Sequence, residues 1–107
     1  MNSKRLTLVL SRAVSQVMLD DIRAIVPAAA LSVFINTLDD TRYATVDCLQ
    51  NEENCALLAS AIVVWRQLGH IQHIDYYKGD RLRQIAGATQ FELFSIMKTH
   101  RALLRLA

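Results

Sequence analysis

Proline occurs once in the 107 residues, at Pro27, and glycine three times, at Gly69, Gly79 and Gly87. So little of either argues against a disordered or low-complexity chain. Each glycine stands alone, so no Gly-rich loop is present to cradle a phosphate. The two cysteines, Cys48 and Cys55, are too few for a disulfide scaffold and too close to close a useful loop; reduced thiols in a cytosol are the expectation. Neither belongs to a Cys-x-x-Cys motif, and neither has a flanking basic residue to lower a thiol pKa, so no catalytic cysteine is expected. Charge of one sign is lacking too: 12 Lys and Arg against 10 Asp and Glu give a net charge of +2. That balance speaks against a dedicated nucleic-acid binder. The longest apolar run, Ala56 to Trp65, is interrupted by Ser60 and is far shorter than the ~20 residues of a membrane span. Behind Lys4 and Arg5, the run Leu6 to Leu10 is too short for a signal-peptide core. The expected protein is soluble, cytoplasmic and not inserted in a membrane.

What is abundant is apolar side chain, 52% of the residues. A chain of this length with that composition can bury a core without staples, and residues 1–107 read as a single domain. Leu6–Leu10 has the apolar, β-branched character of a buried strand. Ser15 is expected to cap a helix carrying Val17, Met18, Ile22, Ile25 and Val26, which Pro27 closes. Ala30–Asn36 and Tyr43–Cys48 read as strands about a turn-rich Thr37–Thr41. Asn51 then caps a helix to Leu68, with Glu52 and Glu53 at its positive end and Gly69 beyond its last turn. Its middle is apolar nearly all round, which predicts packing on more than one side. His70–Tyr77 is a further strand candidate. After a turn at Lys78–Asp80, helices are expected from Arg81 to about Ala88 and, behind the capping-box spacing of Thr89 and Glu92, along a stripe of Leu93, Ile96, Met97, His100, Leu103 and Leu104. The order implies an α/β fold with a mixed sheet of about four strands.

Chemistry-bearing patterns are scarce. His70 and His73 would lie on opposite faces of a strand, and no Cys or Glu pair completes a metal site with them or with His100. The pairs Asp20-Asp21 and Asp39-Asp40 are explained by a polar helix face and a solvated turn. Arg42–Cys48 has a faint likeness to the RNA-reading strand of an RNA-recognition module. Thr45 and Thr7, however, stand where stacking aromatics are needed. Lys78, Arg81, Arg83, Lys98, Arg101 and Arg105 concentrate in the last stretch, either as a polar face over a Leu-rich helix or as a docking surface for an acidic partner or anionic membrane. No enzyme, cofactor or metal is expected.

The run Cys55–His70 resembles the central helix of a STAS domain, the fold of anti-sigma-factor antagonists and of modules in transporters. Arg81–Ala86, Phe91–Ile96 and Ala102–Leu104 resemble the helix, hydrophobic turn and final helix that follow in that family. Leu6–Ser11, Val17–Val26 and Val33–Asn36 resemble its opening elements. The resemblance implies a STAS-like sheet and a non-enzymatic regulatory role in binding another protein. The family's switch is an Asp-Ser loop before the central helix; here Asp47 and Cys48 occupy the nearest match, and a thiol cannot serve a kinase as serine does. By the same resemblance, Asp47, Leu49, Asn51 and Glu52 would form the partner-binding face.

Three functions follow as expectations. The first is a STAS-like regulator binding an anti-sigma factor or a kinase-like relative. The second is a STAS accessory subunit on the ATPase of a phospholipid-transporting ABC system, a role that does not need the serine. The third is a ferredoxin-like small-molecule sensor of the ACT type. The oligomeric state is open and includes a homodimer.

Overall fold

Ser11, not Ser15, starts the first helix: its hydroxyl accepts from the Val14 N–H at 3.3 Å, and the chain then runs helical over α1, Arg12–Ile25. Ser15 is instead buried one turn in, donating to the Arg12 carbonyl at 2.8 Å, the back-bonding that a mid-helix serine uses when water cannot reach it. This computed structural model describes residues 4–78, 80–85 and 87–107. In chain order the other elements are β1 (Arg5–Leu10), β2 (Leu31–Ile35), β3 (Ala44–Leu49), α2 (Glu52–Gln67), β4 (Ile74–Lys78), β5 (Arg81–Gln84), α3 (Gln90–Met97) and β6 (Leu103–Leu106). A 3-10 turn, Ala28–Ala30, follows Pro27 and leads into β2.

The strands form one six-stranded sheet in the order β2-β3-β1-β6-β4-β5. Only β1 and β6 pair in parallel; every other neighbour is antiparallel. The fold is therefore α/β with a mixed sheet, but with six strands rather than about four. The two additional strands come from stretches whose spacing suggested helix. Arg81–Gln84 pairs with β4 as an edge strand, and the expected continuation to Ala88 crosses Ala86, outside the described residues. The final helix stops at Met97, and Leu103–Leu106 becomes a strand inside the sheet.

Alternation of burial shows why the sheet has one covered face. Leu6, Leu8 and Leu10 of β1, Ala44, Val46 and Cys48 of β3, and Leu104 and Leu106 of β6 are buried in one cluster. The same cluster holds Val14, Met18 and Ile22 of α1, Leu58, Ile62 and Trp65 of α2, and Leu93 and Met97 of α3. The period of two along each strand sends the intervening residues to the other face, which no helix of the described residues covers. Two β-α-β crossovers follow from the register. β2 runs parallel to β1 with β3 between them, and β4 parallel to β3 with β1 and β6 between them.

Helix ends match their residue chemistry. Asn51 accepts from the Asn54 N–H at 2.7 Å, and Glu52 and Glu53 sit in the first turn, where the helix dipole favours acids. At the other end Gly69 takes φ +81°. Its N–H donates to the Arg66 carbonyl and the His70 N–H to the Trp65 carbonyl, each at 2.9–3.0 Å. This is the Schellman arrangement that satisfies the last free carbonyls. Thr89 caps α3 by accepting from the Glu92 N–H at 3.2 Å. Among the described residues no helix is long and apolar enough to cross a membrane.

Candidate functional site

The residues of the expected docking face fall into different environments. Cys48 is fully buried on the helix side of β3. Asp47 and Leu49, one residue to either side, point to the uncovered face and are half-buried. Asp47 lies opposite Thr7 in the β1–β3 register and accepts its hydroxyl proton at 2.6 Å. The Leu49 carbonyl accepts from the buried Asn54 amide at 2.9 Å. The side-chain oxygen of Asn51 is engaged as the helix cap. Glu52 is exposed and lines, with Lys4, Gln50, Asn51 and Lys98, a shallow recess of about 220 Å³. Gln50 ties that recess to the end of α3, donating to the carbonyls of Met97 and of Thr99 just beyond it.

Burial also decides the chemistry of Cys48. Removal from water, with smaller contributions from Asp47 and Cys55 and against an opposing one from Arg5, pushes its thiol up to about 11. The Cys55 thiol is raised as well, again chiefly by burial, with Lys98 opposing. Both are free thiols held in the unreactive protonated form at neutral pH. Asp39 behaves differently, its pKa lowered by the Thr41 hydroxyl and the Arg42 N–H, which both bond its carboxylate in the β2–β3 turn.

The surface that stands out is the outward side of α2. Its inward side, Leu58, Ile62 and Trp65, packs into the core, and Leu57 is not part of it. Leu57 is 42% exposed, Val64 48% and the C-cap Leu68 64%, with the half-buried Ala61 between them. The spacing Leu57, Ala61, Val64, Leu68 advances by four, three and four residues, the period that brings side chains to one seam of a coiled coil. The expected packing on more than one side is met, since α2 lies on the sheet and against both α1 and α3, and the stripe is what remains outward. The sequence signal for this stripe is the all-round apolar character of Ala56–Trp65.

Other candidates disperse. His70, His73 and His100 are exposed and separately placed: His70 just beyond α2, His73 beside Gln84 at 3.0 Å, and His100 between α3 and β6. Among the described residues no group of three His, Cys, Asp or Glu is placed to hold a metal. The basic residues of the last stretch do not share a helix face. Arg81 and Arg83 sit on the edge strand β5, Lys98 and Arg101 follow α3, and Arg105 lies on β6. Arg81 and Arg83 give β5 the charge that discourages edge-to-edge pairing. Compared with protein-family models, curated proteins and solved structures, the chain matches none of them.

Proposed function

We propose that this chain is a non-enzymatic binding domain that docks a partner protein's apolar helix along α2. The observation that carries the reading is the outward stripe of exposed Leu57, Val64 and Leu68 about the half-buried Ala61. A helix apolar on both sides is stable in water only at a cost, and burying each large side chain returns about 1 kcal/mol or more. Glu53, exposed and one turn before Leu57, adds a rim charge of the kind that steers association, with Glu52 beside it. The STAS resemblance supplies candidate partners, an anti-sigma factor or an ABC ATPase. It leans, however, on Arg81–Leu104, where two of the expected helical segments are strands, so the proposal rests on the α2 surface instead.

A photo-cross-linking residue in place of Val64, expressed in the native host, is expected to give one discrete protein adduct. The same residue in place of Gln16, exposed on α1, should give none. Leu57→Glu combined with Leu68→Glu should abolish the adduct and leave the melting temperature unchanged. No adduct at position 64, or an equal one at 16, sinks the reading. An adduct of twice the chain's mass points to a second copy, and the sequence of the cross-linked peptide then shows whether its α2 is the partner helix.

A second reading, a ferredoxin-like small-molecule sensor, is favoured by the two interleaved β-α-β crossovers, an arrangement that fold shares.

A further inference from the structure

The uncovered face of the sheet is not flat. Arg42, in the turn before β3, lies across it, with its Nη2 donating to the Tyr77 Oη on β4 at 3.4 Å. Under and beside this arm, Val9, Leu103, Tyr77, Arg105 and Arg42 line a recess of about 190 Å³. Strand register brings them together from four parts of the chain. Val9 partners Arg105 across β1 and β6, and the pairing of Tyr76 with Leu104 continues to set Tyr77 beside Leu103. Nothing in the local sequence around any one of them signals the arrangement.

The recess has an apolar floor, Val9 and Leu103, and a polar rim of two guanidinium groups and a phenol. The rim is rich in donors and poor in acceptors. Arg105 Nε is buried and has no hydrogen-bond partner among the described residues. Asp75 stands opposite Arg105 in the β4–β6 register. Yet the one ion pair found among the described residues is Arg12 with Asp40, at 3.5 Å. Neither guanidinium of the recess is therefore neutralised by a carboxylate contact. Tyr77 accepts from Arg42, which leaves the phenol's own proton free to donate. Nε itself is shut off from solvent, so a ligand would meet the terminal nitrogens of Arg105, which are neither buried nor hydrogen-bonded among the described residues, and a charged acceptor on such donors is bound strongly.

We propose that this recess binds a small organic carboxylate. Its oxygens would be held by Arg42 and Arg105, with the Tyr77 hydroxyl as a third donor, and its apolar body would rest on Val9 and Leu103. A planar guanidinium fork suits a carboxylate. Inorganic phosphate would satisfy the donors but leave the apolar floor wet. The site lies on the opposite face of the sheet from α2, so it stands or falls independently of protein docking there.

The test is a titration of the whole chain, followed by amide NMR shifts and calorimetry, with acetate, benzoate, phenylacetate and 3-phenylpropionate. Benzamide serves as the uncharged twin of benzoate, and inorganic phosphate as the anion without an apolar body. At least one aromatic carboxylate should bind saturably, with shifts at Val9, Leu103 and Arg105, and acetate, benzamide and phosphate should each bind at least about tenfold more weakly. Arg42→Gln should weaken the carboxylate by about tenfold or more, and because Arg42 is exposed this variant leaves the core intact. Arg105→Gln should do the same where circular dichroism shows it folded; if it does not fold, Arg42→Gln decides. The proposal is overturned if none of the four carboxylates binds saturably, if benzamide or phosphate binds as tightly as the best of them, or if Arg42→Gln binds it as wild type does.

Discussion

Trp65 Nε1 donates a hydrogen bond to Asp21 Oδ2 at 2.8 Å and so fastens α2 to α1. The indole is 4% exposed and Asp21 is exposed, so taking the carboxylate away leaves the N–H only the water that the truncation admits. Asp21→Ala should lower unfolding stability by about 1–2 kcal/mol in urea denaturation, whereas Asp21→Asn, which keeps an acceptor, should cost less. Equal midpoints for wild type and Asp21→Ala would mean that the bond is not formed in solution.

Leu57 and Leu58 are neighbours with opposite surroundings. Leu58 is fully buried against the sheet, so Leu58→Ala leaves a cavity and should cost about 2–5 kcal/mol. Leu57 faces outward, and Leu57→Ala should stay within about 0.5 kcal/mol in the isolated protein. Chemical denaturation of both variants checks the contrast. A comparable loss at the two positions would place Leu57 in a core and remove the docking stripe.

Arg101 adopts φ +51° between α3 and β6, the one non-glycine residue with positive φ among the described residues. A side chain there carries about 1–2 kcal/mol of backbone strain. Glycine relieves it while adding about 0.4–1 kcal/mol of unfolded-state entropy. Arg101→Gly should therefore melt at or slightly above the wild-type temperature, and Arg101→Val clearly below it. If valine is tolerated as well as glycine, the left-handed turn is absent in solution.

The buried thiols set an alkaline limit. Below the ordinary thiol value of 9.0, Cys48 is protonated in both the folded and the unfolded chain, and its contribution to stability is complete. As pH rises from about 9 toward 11, the unfolded thiol ionises while the folded one keeps its proton, so stability is lost across that window. Urea midpoints at pH 8, 9 and 10 should fall more steeply for wild type than for Cys48→Ala. Parallel slopes would show that Cys48 is not shielded from water. Native protein at pH 8 should also resist a thiol-specific reagent until urea is added.

The sequence made the first half of the fold legible and the last quarter much less so. β1, α1, β2, β3 and α2 each carry a clear period and a recognisable stop, such as Pro27 or the Asn51 cap and Gly69. The stripe Leu93, Ile96, Met97, His100, Leu103 and Leu104 keeps helical spacing without a break, and no glycine or proline interrupts it. The helix nevertheless ends at Met97, because the reversal is made by Arg101 in a conformation that an arginine seldom adopts. In the strand that follows, Leu104 and Leu106 alternate with Leu103 and Arg105, but four residues are too few for a period of two to be distinguished from a helical turn. Arg81–Gln84 offered still less, being exposed at every position. The α2 stripe was visible as excess apolar character. The sheet-face recess was not visible at all, since Val9, Arg42, Tyr77, Leu103 and Arg105 meet only through strand order.

That strand order places β6, from near one end of the chain, between β1, from near the other, and β4. Take β6 away and the sheet becomes two separate pieces, β2-β3-β1 and β4-β5. Each piece then shows a raw inner edge of unpaired amides and carbonyls, on β1 and on β4. Closing that gap requires contacts between residues as distant as Thr7 and Leu103, which slows folding in proportion to how non-local they are. Until β6 inserts, both inner edges can capture strands from other molecules. Crowded, half-folded chains should therefore associate through β1 and β4 far more readily than through the outer edges that the finished sheet displays.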